Sequence, residues 1–383
     1  MACFEFRSAL PYAPQLLYRY HLNPGAFLRL VPPWENVRLY GLDRGIAESE
    51  VRRLRVGVGP LAIHWTALHR DFRENEQFVD EQVEGPFRSW EHLHLFENLG
   101  NGQAALCDRI HYSFPLGLPL AFTLSAKLRK AFRYRHRQTL RDLTVITRFP
   151  SPIRDGPALK IGVTGAGGFV GRALTSLLRV AGHKVIALCR VVSGCDVSGL
   201  VVWWPEPDLE ALEGFDAVIH LAGETVAQPW TTSARERIYF SRVEGTKRLA
   251  SALARLKRKP AVLISTSATG YYEQDSHAPT TEVAPPGEGF LSRVCQGWEA
   301  GTIPAEEAGI RVCHARFGLV LGAGGGLLQP QLAAFKFGLG AVLGEGTQRL
   351  PIIDRDDLVA AIYHLMHRDD LSGPFNVTAP QQP

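Results

Sequence analysis

The sequence predicts two domains: an α+β domain built on an antiparallel sheet, followed by an α/β domain built on a doubly wound parallel sheet. Three observations carry that expectation. Residues 1–148 alternate apolar and polar side chains at period two between turn residues, the pattern of half-buried antiparallel strands. From residue 159 onward, near-continuous Val/Ile/Leu runs alternate with helix-forming stretches, the pattern of strands buried on both faces of a parallel sheet. Glycine usage also shifts, with 10 in residues 1–159 and 27 in residues 160–383. The shift falls on the Pro/Gly/Asp-rich stretch FPSPIRDGPALK, so residues 149–158 are expected to link the domains.

In the first domain, strands are expected in CFEFRSAL, NVRLYGL, ESEVRRLRVGVG, LAIHWTALHRDF, QFVDEQVEG, RSWEHLHLFENLG and ALCDRIHYSF. Pro14 to Leu30 is helix-like. Leu124, Leu128, Phe132, His136 and Leu140 recur every four residues and predict an amphipathic helix from about Ala121 to Leu143, gripped by a curved sheet. In the second domain, strands are expected in LKIGVTG, HKVIALCR, LVVWW, DAVIHLAG, AVLISTSA and IRVCHARFGLVLG. Helices should start at Phe169 and cover Thr231–Lys257 and about Leu291–Ala308.

The chain's 45% hydrophobic and 21% charged residues exclude collagen, coiled coil and wholesale disorder. Its six cysteines form no C-x-x-C pair, which argues against a disulfide scaffold and a structural zinc site and fits a reducing, cytoplasmic compartment. Glu5 and Arg7 interrupt the N-terminus where a secretory signal needs apolar residues. Two long uncharged runs are broken by Pro115 and Pro119, and by five glycines and Pro330, so no membrane span is expected. The net charge of +4 is local: residues 1–150 hold 20 Lys and Arg against 15 Asp and Glu, and much of the excess lies in Lys127–Arg141. The run KLRKAFRYRHR mixes cations with aromatic rings, yet a solvated outer helix face accounts for it, and no nucleic-acid partner is expected.

Immediately after the strand Lys160–Thr164, TGAGGFVG places Gly165, Gly168 and Gly171 at G-x-x-G-x-x-G spacing, with Phe169 and Val170 opening the following helix. A strand-to-helix turn of this kind suits a Rossmann-type dinucleotide site. The first glycine permits the tight turn, the second lets backbone N–H groups approach a pyrophosphate, and the third lets helix and strand pack closely. The next strand ends at Arg190, where an NAD-selective fold carries Asp or Glu for the ribose 2′-hydroxyl. A cation there favours NADP, with Arg172 as a second candidate for the 2′-phosphate. In HLAGE, Leu221, Ala222 and Gly223 offer small side chains and backbone for close approach of a cofactor, and His220 reads as a core histidine.

Together, TGAGGFVGRAL, VIHLAGETV, SRVEGT, LISTSATGYY, VCQGWE, ARFGLVLG, PIIDRDDLVAAI and LSGPFNVTAP resemble the extended short-chain dehydrogenase/reductase superfamily, in its epimerase-like branch, from about Leu159 to Pro380. Residues 1–148 resemble a START-like (SRPBCC, helix-grip) domain, which implies a cavity for a hydrophobic ligand. The superfamily's mechanism implies a Ser, a Tyr and a Lys four residues after it. Ser267 matches the serine, but the tyrosine position falls at Leu291, the lysine position at Cys295 and the accompanying asparagine at Arg242, a residue the resemblance places among the cofactor contacts. Tyr271 and Tyr272 follow Ser267 closely. Either they replace the missing phenol, with Arg242 or His220 lowering the pKa, or their rings pack over the cofactor. Extended members of the branch continue with further helices, so the resemblance implies a second domain cut short at its substrate side.

Three readings of function follow. The first is an NADP-dependent oxidoreductase or epimerase acting on a small carbonyl or alcohol; the second is a non-catalytic NADP(H) sensor or scaffold; the third is a hydrophobic-ligand carrier. Arg316 ends a strand on the substrate side, Glu224 is a turn carboxylate, and Asp354, Asp356 and Asp357 read as a helix start rather than a metal site. In the first domain His92 and His94 share a strand face but show no third ligand, so no metal is expected. Trp34, Trp65, Phe87, Trp90 and Phe96 are expected to line a cavity or fill a core.

Overall fold

The computed structural model describes residues 1–41, 43–59, 62–115, 121–190, 200–204, 206–272, 280–340, 342, 346 and 350–380. The chain divides into two compact units, Met1–Ala158 with Ser176–His183, and Leu159–Thr175 with Lys184–Pro383. The expected linker holds a short 3-10 turn, Pro152–Arg154, whose Ile153 is buried.

The first unit runs β1 (Ala2–Leu10), α1 (Pro14–Leu22), α2 (Ala26–Leu30), β2 (Val37–Leu39), β3 (Val51–Val56), β4 (Ile63–Arg73), β5 (Gln77–Glu84), β6 (Ser89–Gly100), β7 (Gln103–Ser113) and α3 (Ala121–Ile146). Its seven strands form one sheet in the order β1-β7-β6-β5-β4-β3-β2, antiparallel throughout. The period-two alternation becomes a buried face: Phe4, Ile110 and Tyr112 pack with Phe132 of α3, and Leu124 and Leu128 join them at the expected four-residue interval. Pro14 starts α1, where its missing N–H costs nothing. Arg29 of α2 forms a bidentate pair with Asp142 of α3, at 2.9 and 2.5 Å, and Tyr20 and Gln138 donate to the same carboxylate. This buried clamp satisfies its own charges.

The second unit runs β8 (Lys160–Thr164), α4 (Phe169–Val180), β9 (Lys184–Cys189), β10 (Leu200–Val202), α5 (Leu209–Leu212), β11 (Ala217–His220), α6 (Thr232–Ala254), β12 (Val262–Ala268), α7 (Phe290–Ala300), α8 (Ile303–Glu307), β13 (Arg311–Phe317), β14 (Leu319–Leu321), α9 (Leu332–Lys336), β15 (Ile352–Asp354), α10 (Arg355–His367) and β16 (Gly373–Val377). Seven parallel strands take the order β10-β9-β8-β11-β12-β13-β16. The order reverses between β8 and β11, so the crevice for a ligand opens beyond the carboxyl ends of those two strands.

Two elements differ from expectation. The helix expected near Leu291–Ala308 is split into α7 and α8, because Pro304 lacks the N–H that a continuous helix would need. The strand expected through IRVCHARFGLVLG breaks at Gly318, where a Cβ would fall 2.2 Å from the Pro351 carbonyl oxygen, and β14 pairs instead with β15. Asp354 caps α10, accepting from the Asp356 N–H at 2.9 Å, as the helix-start reading implied. No helix of the described residues is long and apolar enough to cross a membrane.

Candidate functional site

The glycine turn sits at the carboxyl end of β8, and the structure gives each glycine a reason. Gly165 adopts φ +66°, and a Cβ there would fall 3.0 Å from the Leu221 backbone. At Gly171 a Cβ would fall 2.1 Å from the Gly165 carbonyl oxygen, so any side chain would push α4 off the turn. Gly167 and Gly168 are exposed, and a Cβ at Gly167 would meet nothing within 4 Å. The backbone is therefore open to an approaching ligand at the N-terminus of α4, where N–H groups favour an anion.

That turn lines a cavity of about 600 Å³ with the ends of β9 and β11. Gly165, Gly168, Arg190, Leu221, Ala222 and Gly223 all contribute to its wall. Trp203, Trp204, Phe240 and Ser241 line it as well, and none of these four stood out as a site residue in the sequence. Thr164 organises the floor. Its hydroxyl accepts from the Leu221 and Ala222 N–H groups at 3.0 and 3.1 Å, so its own proton points to His220 Nδ1 at 2.8 Å. His220 Nε2–H then donates to Thr246 at 3.0 Å. Fully buried and doubly bonded, His220 is the core histidine the sequence suggested, and burial, with Arg242 nearby, lowers its pKa to about 3.

Arg242 and Phe169 do not line this cavity. The Arg242 guanidinium donates to the Glu224 carbonyl at 2.8 Å and lies 4.9 Å over the Trp298 ring, bracing the segment after β11. The Phe169 ring packs on the glycine-rich loop after β14: a Cβ at Gly325 would fall 2.3 Å from it, and one at Gly322 2.8 Å. Gly322 and Gly325 are thus explained by one aromatic ring at the start of α4, whereas Gly324 and Gly326 adopt φ +82° and +65°. Val170 stands beside it in the first turn, partly buried.

The residues expected at the reaction centre form a tight network at the end of β12. Ser267 is fully buried and donates to Glu299 Oε1 at 2.7 Å, so its proton is committed to a carboxylate. Glu299 also takes a bidentate pair from Arg316, at 2.8 Å on both sides. Arg316 Nη1 donates to the Tyr272 hydroxyl at 2.7 Å, and that hydroxyl donates to Asn376 at 2.7 Å. The Arg316 guanidinium also stands 3.6 Å from the centre of the Tyr271 ring. Burial works against the Arg316 charge, but its bonds to Glu299 and Tyr272 raise its pKa above the ordinary value. Burial raises the Tyr272 pKa, opposed by Arg316. The cation beside the phenol is therefore Arg316, which corrects the expectation that Arg242 or His220 would fill that place. Leu291, at the family's tyrosine position, lines a separate cavity of about 150 Å³ with Gly270 and Tyr272. Cys295, at the lysine position, is a buried thiol whose pKa burial pushes up to about 11.

In the first unit the expected absence of a third ligand near His92 and His94 is corrected by sheet register: Asp80 of β5 lies directly opposite His92. Phe96 is core, packed on Tyr18 and Phe78. Trp65, Phe87 and Trp90 contact one another, whereas Trp34 is exposed beneath Lys130.

Residues 161–378 match the NAD dependent epimerase/dehydratase family. Over 224 residues, 57% of this chain, the sequence is 37% identical to an epimerase family protein of Mycobacterium bovis, covering 73% of that protein. The fold is similar to that of a nucleoside-diphosphate sugar epimerase from Corynebacterium glutamicum, with a TM-score of 0.84 and 31% identity over 99% of this chain and 79% of that one. It is also similar to the human epimerase family protein SDR39U1 solved with NADPH, with a TM-score of 0.53 and 30% identity over 58% of this chain and 75% of that one. A NAD(P)-binding Rossmann-like sheet and a family match over more than half its length lead to one assignment: the chain belongs to the NAD dependent epimerase/dehydratase family.

Proposed function

We propose that the second unit binds NADP(H) and is an oxidoreductase or epimerase acting on a small carbonyl or alcohol. The observation that carries this reading is the shared cavity, in which the open glycine turn after β8 and Arg190 at the end of β9 line the same space. Gly165–Gly168, at the N-terminus of α4, would hold the pyrophosphate; Arg190 would pair with the 2′-phosphate, and Ala222 and Gly223 leave room beside the ribose. Bound there, the dinucleotide would supply a hydride to a carbonyl carbon or accept one from an alcohol carbon. Of the two phenols, Tyr271 is the one we assign to the substrate oxygen, because the Tyr272 proton already goes to Asn376. Calorimetry should find NADPH bound more tightly than NADH, by the roughly 10- to 100-fold that a charge-assisted bond of about 1.5–3 kcal/mol provides. Arg190→Asp should reverse that preference. Binding of neither nucleotide would refute the reading, and unchanged selectivity in Arg190→Asp would remove the role given to Arg190.

A second reading, a non-catalytic NADP(H) sensor or scaffold, is favoured by one observation: Leu291 and Cys295 hold the tyrosine and lysine positions, and Ser267 is tied to Glu299. Tight NADPH binding with no cofactor oxidation across a carbonyl panel would select it. We read the first unit as a helix-grip, START-like domain, supported by a seven-stranded antiparallel sheet whose face packs on the terminal helix α3. Its partly buried Trp65–Phe87–Trp90 cluster suits a hydrophobic ligand, testable by displacement of an environment-sensitive dye. The described cysteines are all free of disulfides, which suits a cytoplasmic protein.

A further inference from the structure

The sheet face that α3 covers in the first unit carries carboxylates and imidazoles in adjoining register. His69 of β4 lies opposite Asp80 of β5, Asp80 lies opposite His92 of β6, and His94, two residues further along β6, lies opposite Asp108 of β7. All but Asp80 are at most 5% exposed, and the Asp80 side chain is 27% exposed, so the group reaches solvent at one end.

Hydrogen-bond accounting fixes most of the ring nitrogens. Asp108 accepts from His92 Nε2 at 2.7 Å and from His136 Nε2 at 2.6 Å, which leaves His92 Nδ1 as the nitrogen carrying a lone pair. His94 Nε2 bonds Asp80 at 3.1 Å, while its Nδ1 stands 3.0 Å from Asp108 with no hydrogen-bond partner. His69 Nδ1 bonds the Glu50 carbonyl at 3.0 Å; a carbonyl only accepts, so Nδ1 carries a proton and, in the neutral ring, Nε2 a lone pair. That lone pair stands 3.2 Å from Asp80 Oδ1, a buried oxygen with no hydrogen-bond partner. Acceptor facing acceptor at that distance repels unless positive charge sits with them.

One ligand atom from each of Asp80, His92 and His94 lies within 4.8 Å of the other two. Two ligands about 2.1 Å from one ion are separated by roughly 3.0–3.4 Å, and Asp80 Oδ2 and His94 Nε2 stand 3.1 Å apart. We propose that Asp80, His92 and His94 bind a divalent first-row transition metal, with Asp108 as the positioning residue that orients the His92 imidazole and flanks that of His94. The donor set of two imidazoles and one carboxylate is the type such ions take. Three protein ligands leave a coordination position for water or a small anion, and the carboxylate behind the rings follows the usual arrangement of a second layer.

The test uses the full, untagged chain, stripped with a chelator and titrated with cobalt(II) chloride, followed by competition with zinc. The expected result is one equivalent of cobalt with visible ligand-field absorption, displaced by zinc. Asp80→Asn and His94→Gln should each weaken binding about 10-fold or more, and Asp108→Asn about 10- to 100-fold. His111→Gln, on the opposite face of β7, should leave it unchanged. Circular dichroism checks that each variant folds, and Asp80→Asn at the solvent end decides if His94→Gln does not. No stoichiometric uptake by the native chain, or unaltered affinity in folded Asp80→Asn, would overturn the proposal in favour of a network balanced by protonated imidazoles.

Discussion

Replacing Arg316 by Met tests the network at the end of β12. The Arg316 side chain is 3% exposed and Glu299 13%, and they share two 2.8 Å bonds. Methionine keeps most of the stem's volume but leaves the Glu299 carboxylate with Ser267 alone among these partners. Removing one partner of a buried pair costs about 3–5 kcal/mol, because the remaining charge stays out of water. The Tyr272 hydroxyl and the Glu282 carbonyl also lose a donor, at roughly 0.5–1.5 kcal/mol each. For a domain of roughly 200 residues, a loss of 3–5 kcal/mol lowers Tm by roughly 6–20 °C. Arg316→Lys keeps the charge but not the two-pronged geometry and should fall between. Urea and thermal unfolding followed by circular dichroism at pH 7 supply the free energies. Adding Glu299→Leu should cost less than the sum of the single changes, with a coupling of about 0.5–3 kcal/mol. A loss below about 1 kcal/mol in Arg316→Met, or strict additivity in the double variant, would refute the picture of a desolvated, mutually dependent pair.

Gly171→Ala places a Cβ against backbone rather than a yielding side chain, so it should cost about 1–3 kcal/mol and weaken NADPH binding together, measured by urea unfolding and calorimetry. Gly325→Ala should be destabilising alone and milder in a Phe169→Ala background; equal cost in both would show that the Phe169 ring is not the obstacle. His220 has a pKa of about 3 when folded and about 6.5 when unfolded, so the unfolded chain binds its proton first. Its contribution is whole above pH 6.5 and shrinks as pH falls toward 3, by about 2 kcal/mol at pH 5. His220→Gln should flatten the pH 5–7 dependence of unfolding by that amount, and an unchanged slope would contradict the assignment. Glu282→Gln should lower the Tyr272 pKa, read from its phenolate absorbance in a Tyr271→Phe background; no downward shift would mean that Glu282 does not add to burial there.

The elements that were legible in the sequence are those written in local periodicity. Alternation at period two located the strands of the first unit, and Leu124, Leu128 and Phe132 located α3, because each pattern needs only its own segment. The glycine turn was legible for the same reason. What the sequence hid depends on pairing across distance. Arg29 and Asp142 lie 113 residues apart. The Asp80–His92 pairing depends on the register between β5 and β6, although a local signal existed: Asp80 has the inward parity of Phe78, and Asp108 that of Leu106 and Ile110. An acidic residue on the buried side of an alternating strand needs partners, and that could have prompted a search for them. Ser267 was placed correctly at the end of its strand, but its bond to Glu299 comes from α7 packing beside β12.

At the end of β12 the family's tyrosine and lysine positions are lost, while a cation still stands beside a phenol. In the usual arrangement a lysine on the helix after this strand sits beside a tyrosine and lowers its pKa. Here α7 offers Leu291 and Cys295, and the cation arrives from β13 as Arg316, 2.7 Å from the Tyr272 hydroxyl. That distance is as short as activation would require, yet burial prevails and the Tyr272 pKa rises. The Glu282 carboxylate acts in the same direction as burial, so Arg316 and Asn376 do not bring the phenol below its ordinary value. A positive group near a buried tyrosine is thus not an activating group unless its field outweighs the cost of burying the phenolate. For the chemistry we propose for the second unit, Tyr271, with no partner drawn to its hydroxyl among the described contacts, is the phenol left to serve a substrate, because the Tyr272 proton already goes to Asn376.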